Sequence, residues 1–385
     1  MQNRSLKLLP VLTTYFVMGF VDIVGVSTGY AKRDFNLSPM LAQLIPSMVF
    51  IWFFVLSIPL SLLQSTYGKK RLLIAGTVLT AIGMFLPFID YSYPALLGSF
   101  LLLGFGNTII QVSSNPLLRD VTSPEEFSSF LSLSQFVKAT SSLLGPLLVA
   151  LAVTIWNEWK GVFLVYGCVS LLTSVWLIAT KIREEPVKKG ASLVNPIGLL
   201  KNRYVLMMVL AIFFLVGLDV GLNTNIQSIL QSRFHLSLEN ASLGISVYFF
   251  SLMASRLLGA FVLSRIDNLR FFMISSFMTI IFLLIVIYSP SATIAFFAIG
   301  LTGLASGNLF PLIFAMTLNR MPDRANEVSG LMIMAVVGGA LIPPLVGYTQ
   351  NFVSVTSSFL LLLGCAVYIH LASLFSKSKS VKIYA

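Results

Sequence analysis

The sequence predicts an all-α integral membrane protein whose twelve transmembrane helices form two six-helix repeats. Three observations carry that prediction. The 385-residue chain is 57% hydrophobic and only 10% charged, where a soluble protein carries about 25% charged residues, and its mean hydropathy is +0.91. Apolar runs of roughly 20 residues, the length needed to cross a bilayer core, recur from end to end. Patterns of the first half return in the second at a nearly constant offset.

Helix 1 is predicted over 8–30. The opening MQNRSLKLLPVLTTYFVMGF resembles a signal peptide, but no small-residue cleavage site follows and the apolar stretch runs on through Gly25. It therefore reads as an uncleaved first span. Helices 2 and 3 follow over 40–64 and 72–90, separated by the basic loop TYGKKR at 66–71. Helix 4 covers 94–118, helix 5 127–153 and helix 6 159–180. The longest polar interval inside the chain, KIREEPVKKGASLVNPIGLLKNR at 181–203, then divides an N-terminal bundle (1–180) from a C-terminal bundle with a short tail (204–385). The second set of helices is expected over 204–230, 240–264, 270–288, 292–318, 326–349 and 352–375.

The net charge of +11 could suggest a nucleic-acid partner, but its placement argues for orientation instead. Nineteen Lys and Arg residues fall on the side of the termini and the 181–203 interval. Four (Lys32, Arg33, Lys160 and Arg233) fall on the other. By the positive-inside rule both termini are expected to face the cytoplasm, with the chain in a bacterial-type inner membrane. Cys168 and Cys365 both lie inside predicted helices, so no disulfide framework is expected.

The repeat is visible residue by residue. Gly106-Asn107 reappears as Gly307-Asn308, Arg119 as Arg320 and Glu126 as Glu327, all at one offset of 201. VMGFVDIVG at 17–25 answers FLVGLDVG at 214–221, and Leu37-Ser38 recurs as Leu236-Ser237. Parallel six-helix repeats place a central site at the bilayer midplane between the halves.

Several helices carry a polar stripe on an otherwise apolar surface. In GFGNTIIQVSSNPLLRD (104–120), Asn107, Gln111 and Asn115 are spaced i, i+4, i+8 and share one face. Helix 7 repeats the spacing with Asp219, Asn223 and Gln227; helix 5 offers Ser128, Ser132, Gln135, Lys138 and Ser142. Stripes turned to one water-filled cavity would satisfy these groups while lipid meets only apolar faces. Interhelical packing is the competing role, most evenly balanced for Asn107 and Asn308 beside their glycines. Pro116 is expected to kink helix 4 and free a backbone carbonyl.

Charges are the sharper signal, because each costs about 2.5–3.5 kcal/mol at a helix centre. Asp22, Lys138, Asp219 and Arg256 remain once the loops are emptied. Asp22 and Asp219 sit equally deep in paired helices and are candidates for proton coupling. Lys138 either grips an anionic group of a solute or neutralises Asp22. Arg256, in SRLLGAFVLSRID, is placed near the cytoplasmic end of helix 8 with Arg119 and Arg320 as a structural gate. Soluble-enzyme signatures are absent: there is no GxxxxGK[ST] phosphate loop, and neither histidines nor cysteines have metal-ligand spacing. The expectation is therefore a non-enzyme without cofactor or metal, driven by an ion or solute gradient.

Five further stretches stand out: SSNP at 113–116, FLVGLDVG in helix 7, SRLLGAFVLSR in helix 8, GNLFPLIF at 307–314 and GLMIMAVVGGALIPPLVG at 330–347. Through them the chain resembles the fucose/galactose/glucose–proton symporter family of the major facilitator superfamily. The resemblance implies an inner-membrane permease that carries a sugar with a proton by alternating access. Its functional positions are partly altered. The family's helix 1 acid, ten residues before Phe35, falls on Gly25, with Asp22 one turn away; the family's Glu before the Asn-Pro pair is Gln111; the helix 5 Asn after Gln135 is Lys138. Asp219 matches an acid of many relatives.

The resulting expectation is a monomeric secondary transporter of a small polar solute, a sugar or sugar acid, in membrane lipid and coupled to protons. Gln111, Asn115, Gln135, Lys138, Asn223 and Gln227 would bind the solute, and Asp22 and Asp219 would carry the proton. Two alternatives stand beside it. One is a proton-driven efflux antiporter for an amphipathic compound, suggested by Leu144-Gly145-Pro146. The other is a sensor that binds solute without moving it.

Overall fold

A computed structural model describes residues 2–122, 124–182, 184, 196–262, 267–321 and 324–381. The described chain is all-α, and twelve of its helices are long and apolar enough to cross a membrane. In the first half these are α1 (Leu8–Asp34), α2 (Pro39–Leu60), α3 (Lys69–Ile89), α4 (Tyr93–Val121), α5 (Leu133–Trp156) and α6 (Gly161–Ala179). In the second they are α7 (Arg203–Phe234), α8 (Leu238–Gly259), α9 (Asn268–Tyr288), α10 (Ala292–Arg320), α11 (Glu327–Phe352) and α12 (Val355–Ser376). With six spans on each side, the two termini and the segment between α6 and α7 share one end of the molecule, called here the linker end. The opposite end is the distal end.

Within the first half α3 packs on α4 and α6, and α2 on α4; within the second α8 and α9 pack on α10, and α7 on α11 and α12. Between the halves α1 meets α7, α2 meets α11 and α5 meets α8. Six helices later in the chain, α2 corresponds to α8 and α5 to α11, so the two outer contacts are the same contact seen from either side of a pseudo-two-fold. The perimeter is apolar: Leu172, Val175, Phe250, Phe297 and Leu341 are exposed, as hydrocarbon solvent requires.

Hydrocarbon offers no hydrogen bonds, so a backbone group that a helix leaves unpaired must find a partner inside the protein. Proline within a helix creates such a group, because it has no N–H for the carbonyl four residues earlier. Three of these carbonyls are answered by side chains of neighbouring spans. Pro87 frees Gly83, whose oxygen accepts Ser99 Oγ at 2.6 Å. Pro116 frees Val112, whose oxygen accepts Gln64 Nε2 at 3.1 Å, and α4 stays helical through the proline. Pro344 frees Ala340, whose oxygen accepts Ser47 Oγ at 2.7 Å and so ties α11 to α2 across the halves.

Four spans are irregular among the described residues. α1 tightens to a 3₁₀ turn over Gly19–Ile23, α2 is interrupted at Gln43, α10 is interrupted at Gly307 and Asn308, and α11 tightens over Ala335–Val337. In the distal half α1 lies close against α7: a Cβ at Gly25 would strike the Asn223 side chain, and one at Gly29 the Gln227 side chain. No larger residue allows that approach.

Ser99→Ala should lower thermal stability in detergent by about 1 kcal/mol, the cost of stranding one buried carbonyl. In a Pro87→Ala background, where residue 87 regains its N–H, the same change should cost much less. Equal losses in both backgrounds, read from a double-mutant cycle, would refute this account of Ser99.

Candidate functional site

The site is built around the break in α1. A 3₁₀ turn realigns the carbonyls of an α-helix, and asparagines from two other spans answer the ones at its edges. Asn107 Nδ2 of α4 donates to the Met18 carbonyl at 2.7 Å, and Asn223 Nδ2 of α7 donates to the Asp22 carbonyl at 2.9 Å. The first bond lies within one half; the second crosses to the other. Tyr15, one turn toward the linker end, donates to Asn115 Oδ1 at 2.7 Å. These contacts fix the register of α1, α4 and α7 and set Asp22 where the two halves meet.

Four charges share this layer. Asp22, Lys138, Asp219 and Arg256 lie within electrostatic range of one another, and all four are only partly buried. Lys138 sits beside the α1 break, its carbonyl next to Gly19. Each carboxylate accepts one hydroxyl: Ser142 Oγ donates to Asp22 Oδ2 at 2.5 Å, and the Tyr248 hydroxyl donates to Asp219 Oδ1 at 2.5 Å. Two acids and two bases make the layer neutral when all are ionised. Arg256, expected as a gate brace near the helix end, is thus placed among the other three half-buried charges.

The polar stripes separate in the structure. On α4, Asn107 is fully buried, Gln111 is half-buried and Asn115 is exposed, so access increases toward the linker end. Gln111 and Gln135 are half-buried, and neither makes a hydrogen bond to another described residue. Asn223 and Gln227 are buried and engaged; Gln227 Nε2 donates to Ser242 at 2.6 Å. Further toward the distal end, Asn225 Oδ1 accepts Gln43 Nε2 of α2 at 3.0 Å and Gln350 Nε2 of α11 at 2.7 Å. Arg33 reaches Glu239 at 3.9 Å across the halves. These contacts close the distal half of the interface, while the half-buried Gln111 and Gln135 and the exposed Asn115 lie toward the linker end.

Comparison with known proteins decides the family. The family model of the Major Facilitator Superfamily matches residues 11–344, and again 209–381. The chain belongs to the major facilitator superfamily. A glucose/galactose transporter of Brucella abortus is 25% identical over 392 residues, covering 96% of this chain and 93% of that protein. Among solved structures, nucleoside transporter NupG superposes with a TM-score of 0.77 at 14% identity over 96% of this chain and 99% of that one. The E. coli fucose:proton symporter FucP does so at 0.70 and 15%, over 97% and 99%. As a facilitator-superfamily protein the chain is a multi-pass secondary transporter of the bacterial inner membrane that works by alternating access, and it is not an enzyme.

The linker end of this facilitator carries its own ion pairs. Lys69, at the start of α3, closes on Asp120 at the end of α4 at 2.7 Å, both nearly buried. Glu184 accepts the backbone N–H of Lys69 at 2.5 Å and of Lys70 at 3.3 Å, and Lys70 Nζ donates to the Thr180 carbonyl at 2.8 Å. The basic loop at 66–71 thus ties α3, α4 and the end of α6 within the first half. Arg119 is exposed. Arg320 stacks over Tyr204 of α7, 4.3 Å from the ring centre, and Arg324 pairs with Glu327. The side chains of Glu126, Ser128 and Ser132, and all of Arg265 and Lys188–Lys189, lie outside the described residues. Among the described residues no three His, Cys, Asp or Glu side chains group as metal ligands, and both cysteines are free.

Sequence reasoning missed Tyr15, Tyr248, Asp120, Glu184 and Gln64. The two tyrosines had a signal, a hydroxyl in the middle of an apolar span that must find a partner. The others depend on which helices become neighbours.

Gly25→Val should hold the distal ends of α1 and α7 apart by filling the space of the Asn223 side chain. With both native cysteines replaced and Gln43→Cys as reporter, a membrane-impermeant maleimide should label the Gly25→Val protein several-fold faster than its Gly25 counterpart. Equal labelling rates would refute this role for the glycine contact.

Proposed function

We propose that the protein moves a small polar solute, a sugar or sugar acid, across the inner membrane together with a proton, as in the fucose/galactose/glucose–proton symporter family. The observation that carries this reading is the half-buried charge layer at the bundle interface, Lys138 and Arg256 with Asp22 and Asp219, together with two half-buried glutamines: Gln135, about one turn from Lys138 on α5, and Gln111, between Asn107 and Asn115 on α4. Gln111 and Gln135 each offer two donors and an acceptor, the complement of sugar hydroxyls. Asn115 adds a further amide at the linker side, with its Oδ1 held by Tyr15. Asn223 and Gln227 act one step away, holding α1 and α7 in the register that presents the layer.

Asp22 and Asp219 are the proton carriers in this reading, since each is a carboxylate at the interface held by one neutral hydroxyl. Residues 1–180 and 204–385 move as the two rocking halves, joined by 181–203, with both termini in the cytoplasm. Arg119 and Arg320 lie at the linker ends of α4 and α10, where the inward gate closes. One chain contains both halves and the whole layer, so a monomer is the working unit, and the basic surplus serves orientation rather than nucleic-acid binding. The similarity to a glucose/galactose transporter supports the solute class.

Proteoliposomes should accumulate labelled solute above equilibrium only when a proton gradient is imposed. Asp22→Asn and Asp219→Asn should each abolish that accumulation while leaving counterflow exchange measurable. Full gradient-driven accumulation by both variants would remove these acids as proton carriers.

A further inference from the structure

The acids and bases of the central layer do not have matching partners. Each carboxylate holds a hydroxyl donor at 2.5 Å. By contrast Lys138 Nζ and the Arg256 guanidinium make no hydrogen bond and no contact ion pair with another described residue. Structural cations elsewhere in this chain are answered directly. Lys69 meets Asp120 at 2.7 Å, Lys70 meets the Thr180 carbonyl at 2.8 Å, and Arg233 meets the Ser289 carbonyl at 2.8 Å. A neutralising quartet would be expected to pair in the same way. Here the four charges interact without direct contact. Each carboxylate has one hydroxyl on one oxygen, whereas the three N–H of the lysine and the five of the arginine have no partner among the described residues.

The two bases also stand on opposite sides of the moving interface. Lys138 belongs to α5 and Arg256 to α8, the spans that meet where Thr140 Oγ1 touches Met253 Sδ at 3.6 Å. We propose that the solute is a monocarboxylate, a sugar acid, whose carboxylate bridges Lys138 of the first half and Arg256 of the second while Gln111 and Gln135 take its hydroxyls. This rests on the transporter reading of the same site given above. An anion held between halves favours their approach at this layer, so binding and occlusion become one event.

Charge balance selects a single negative charge. With Asp22, Asp219, Lys138 and Arg256 ionised the layer is neutral, and a net charge carried across the midplane is costly. A neutral hexose with one proton leaves the loaded layer at plus one; a monocarboxylate with one proton leaves it neutral; a dianion needs two protons. The groups facing the acids bear on this balance: Lys138, Arg256, Ser142 and Tyr166 for Asp22, and Asp22 itself, Tyr248, Arg256 and Lys138 for Asp219. Monocarboxylate–proton symport is therefore electroneutral.

The test uses the purified full chain with D-glucuronate, D-galacturonate and D-gluconate against D-glucose and D-galactose, followed by thermal shift and calorimetry. The acids should bind, with the hexoses at least about ten-fold weaker, the scale of a lost charge-assisted hydrogen bond. Lys138→Gln and Arg256→Gln should each weaken acid binding by about ten-fold or more while the purified variants still unfold cooperatively, and Lys138→Arg should retain most of the binding. Uptake of the acid should follow the proton gradient and ignore a potassium–valinomycin diffusion potential. Binding of hexoses but not acids, acid binding that survives both Gln substitutions, or uptake that responds to the diffusion potential would overturn the carboxylate bridge. Failure to accumulate either solute class under a proton gradient would instead overturn the transporter reading beneath it.

Discussion

A polar group buried in lipid has only the protein to turn to, and that constraint shapes this molecule from backbone to site. It explains why irregular backbone occurs where other spans can answer it. The turn at Gly19–Ile23 is matched by asparagines from α4 and α7, and the carbonyls freed by Pro87, Pro116 and Pro344 are matched by Ser99, Gln64 and Ser47. Each match fixes the height of one span against another. The same bonds that remove a desolvation cost therefore set the register of α1, α4 and α7, and with it the level at which Asp22 and Asp219 stand.

Much of this architecture was legible in sequence. Run length gave twelve spans, and the 201-residue offset gave two halves with Gly106-Asn107 facing Gly307-Asn308 in the plan. Helical spacing also found the polar faces, because i, i+4 periodicity follows from the helix alone. What it could not supply is the partner opposite each face. Asp219, Asn223 and Gln227 share one stripe, yet Asp219 faces the charged layer while Asn223 and Gln227 are buried against α1 and α8. Arg256 likewise reads as a helix-end residue in one dimension. Its proximity to Asp22 and Lys138 comes from the packing of α8 on α5, which no local pattern encodes.

The repeat constrains position more than chemistry. Asp22 and Asp219 are equivalent in the plan, but one is held by a serine from α5 and the other by a tyrosine from α8. Asn107 and Asn308 share an offset, yet Asn107 supports the broken α1 whereas Asn308 Nδ2 donates to the carbonyl of Ser255, next to Arg256, at 2.5 Å. In the second half it is α10 that breaks, at Asn308 itself. Duplication thus supplies two rigid frames, and divergence of side chains within them makes a site with no two-fold symmetry. A small solute with a charged end and a hydroxylated end suits such a site better than a symmetric one would.

Alternating access further requires halves that are stiff and a seam that is weak. Inside the first half, Asp34 accepts Tyr91 at 2.5 Å, Trp159 at 2.7 Å and Arg33 at 2.9 Å, tying the distal ends of α1, α4 and α6 together. Lys69 and Asp120 do the same at the linker end. The seam is different in kind. Its bonds are single neutral ones, such as Ser47 to Ala340 and Gln43 to Asn225, each of a class that averages about 0.6 kcal/mol in membrane helices. Its one cross-half ion pair among the described residues, Arg33 with Glu239 at 3.9 Å, is half-exposed and of the kind that contributes about 0–1 kcal/mol. A handful of such terms leaves the closed and open distal ends within a few kcal/mol of each other, the range in which a ligand's differential affinity can decide which one is populated.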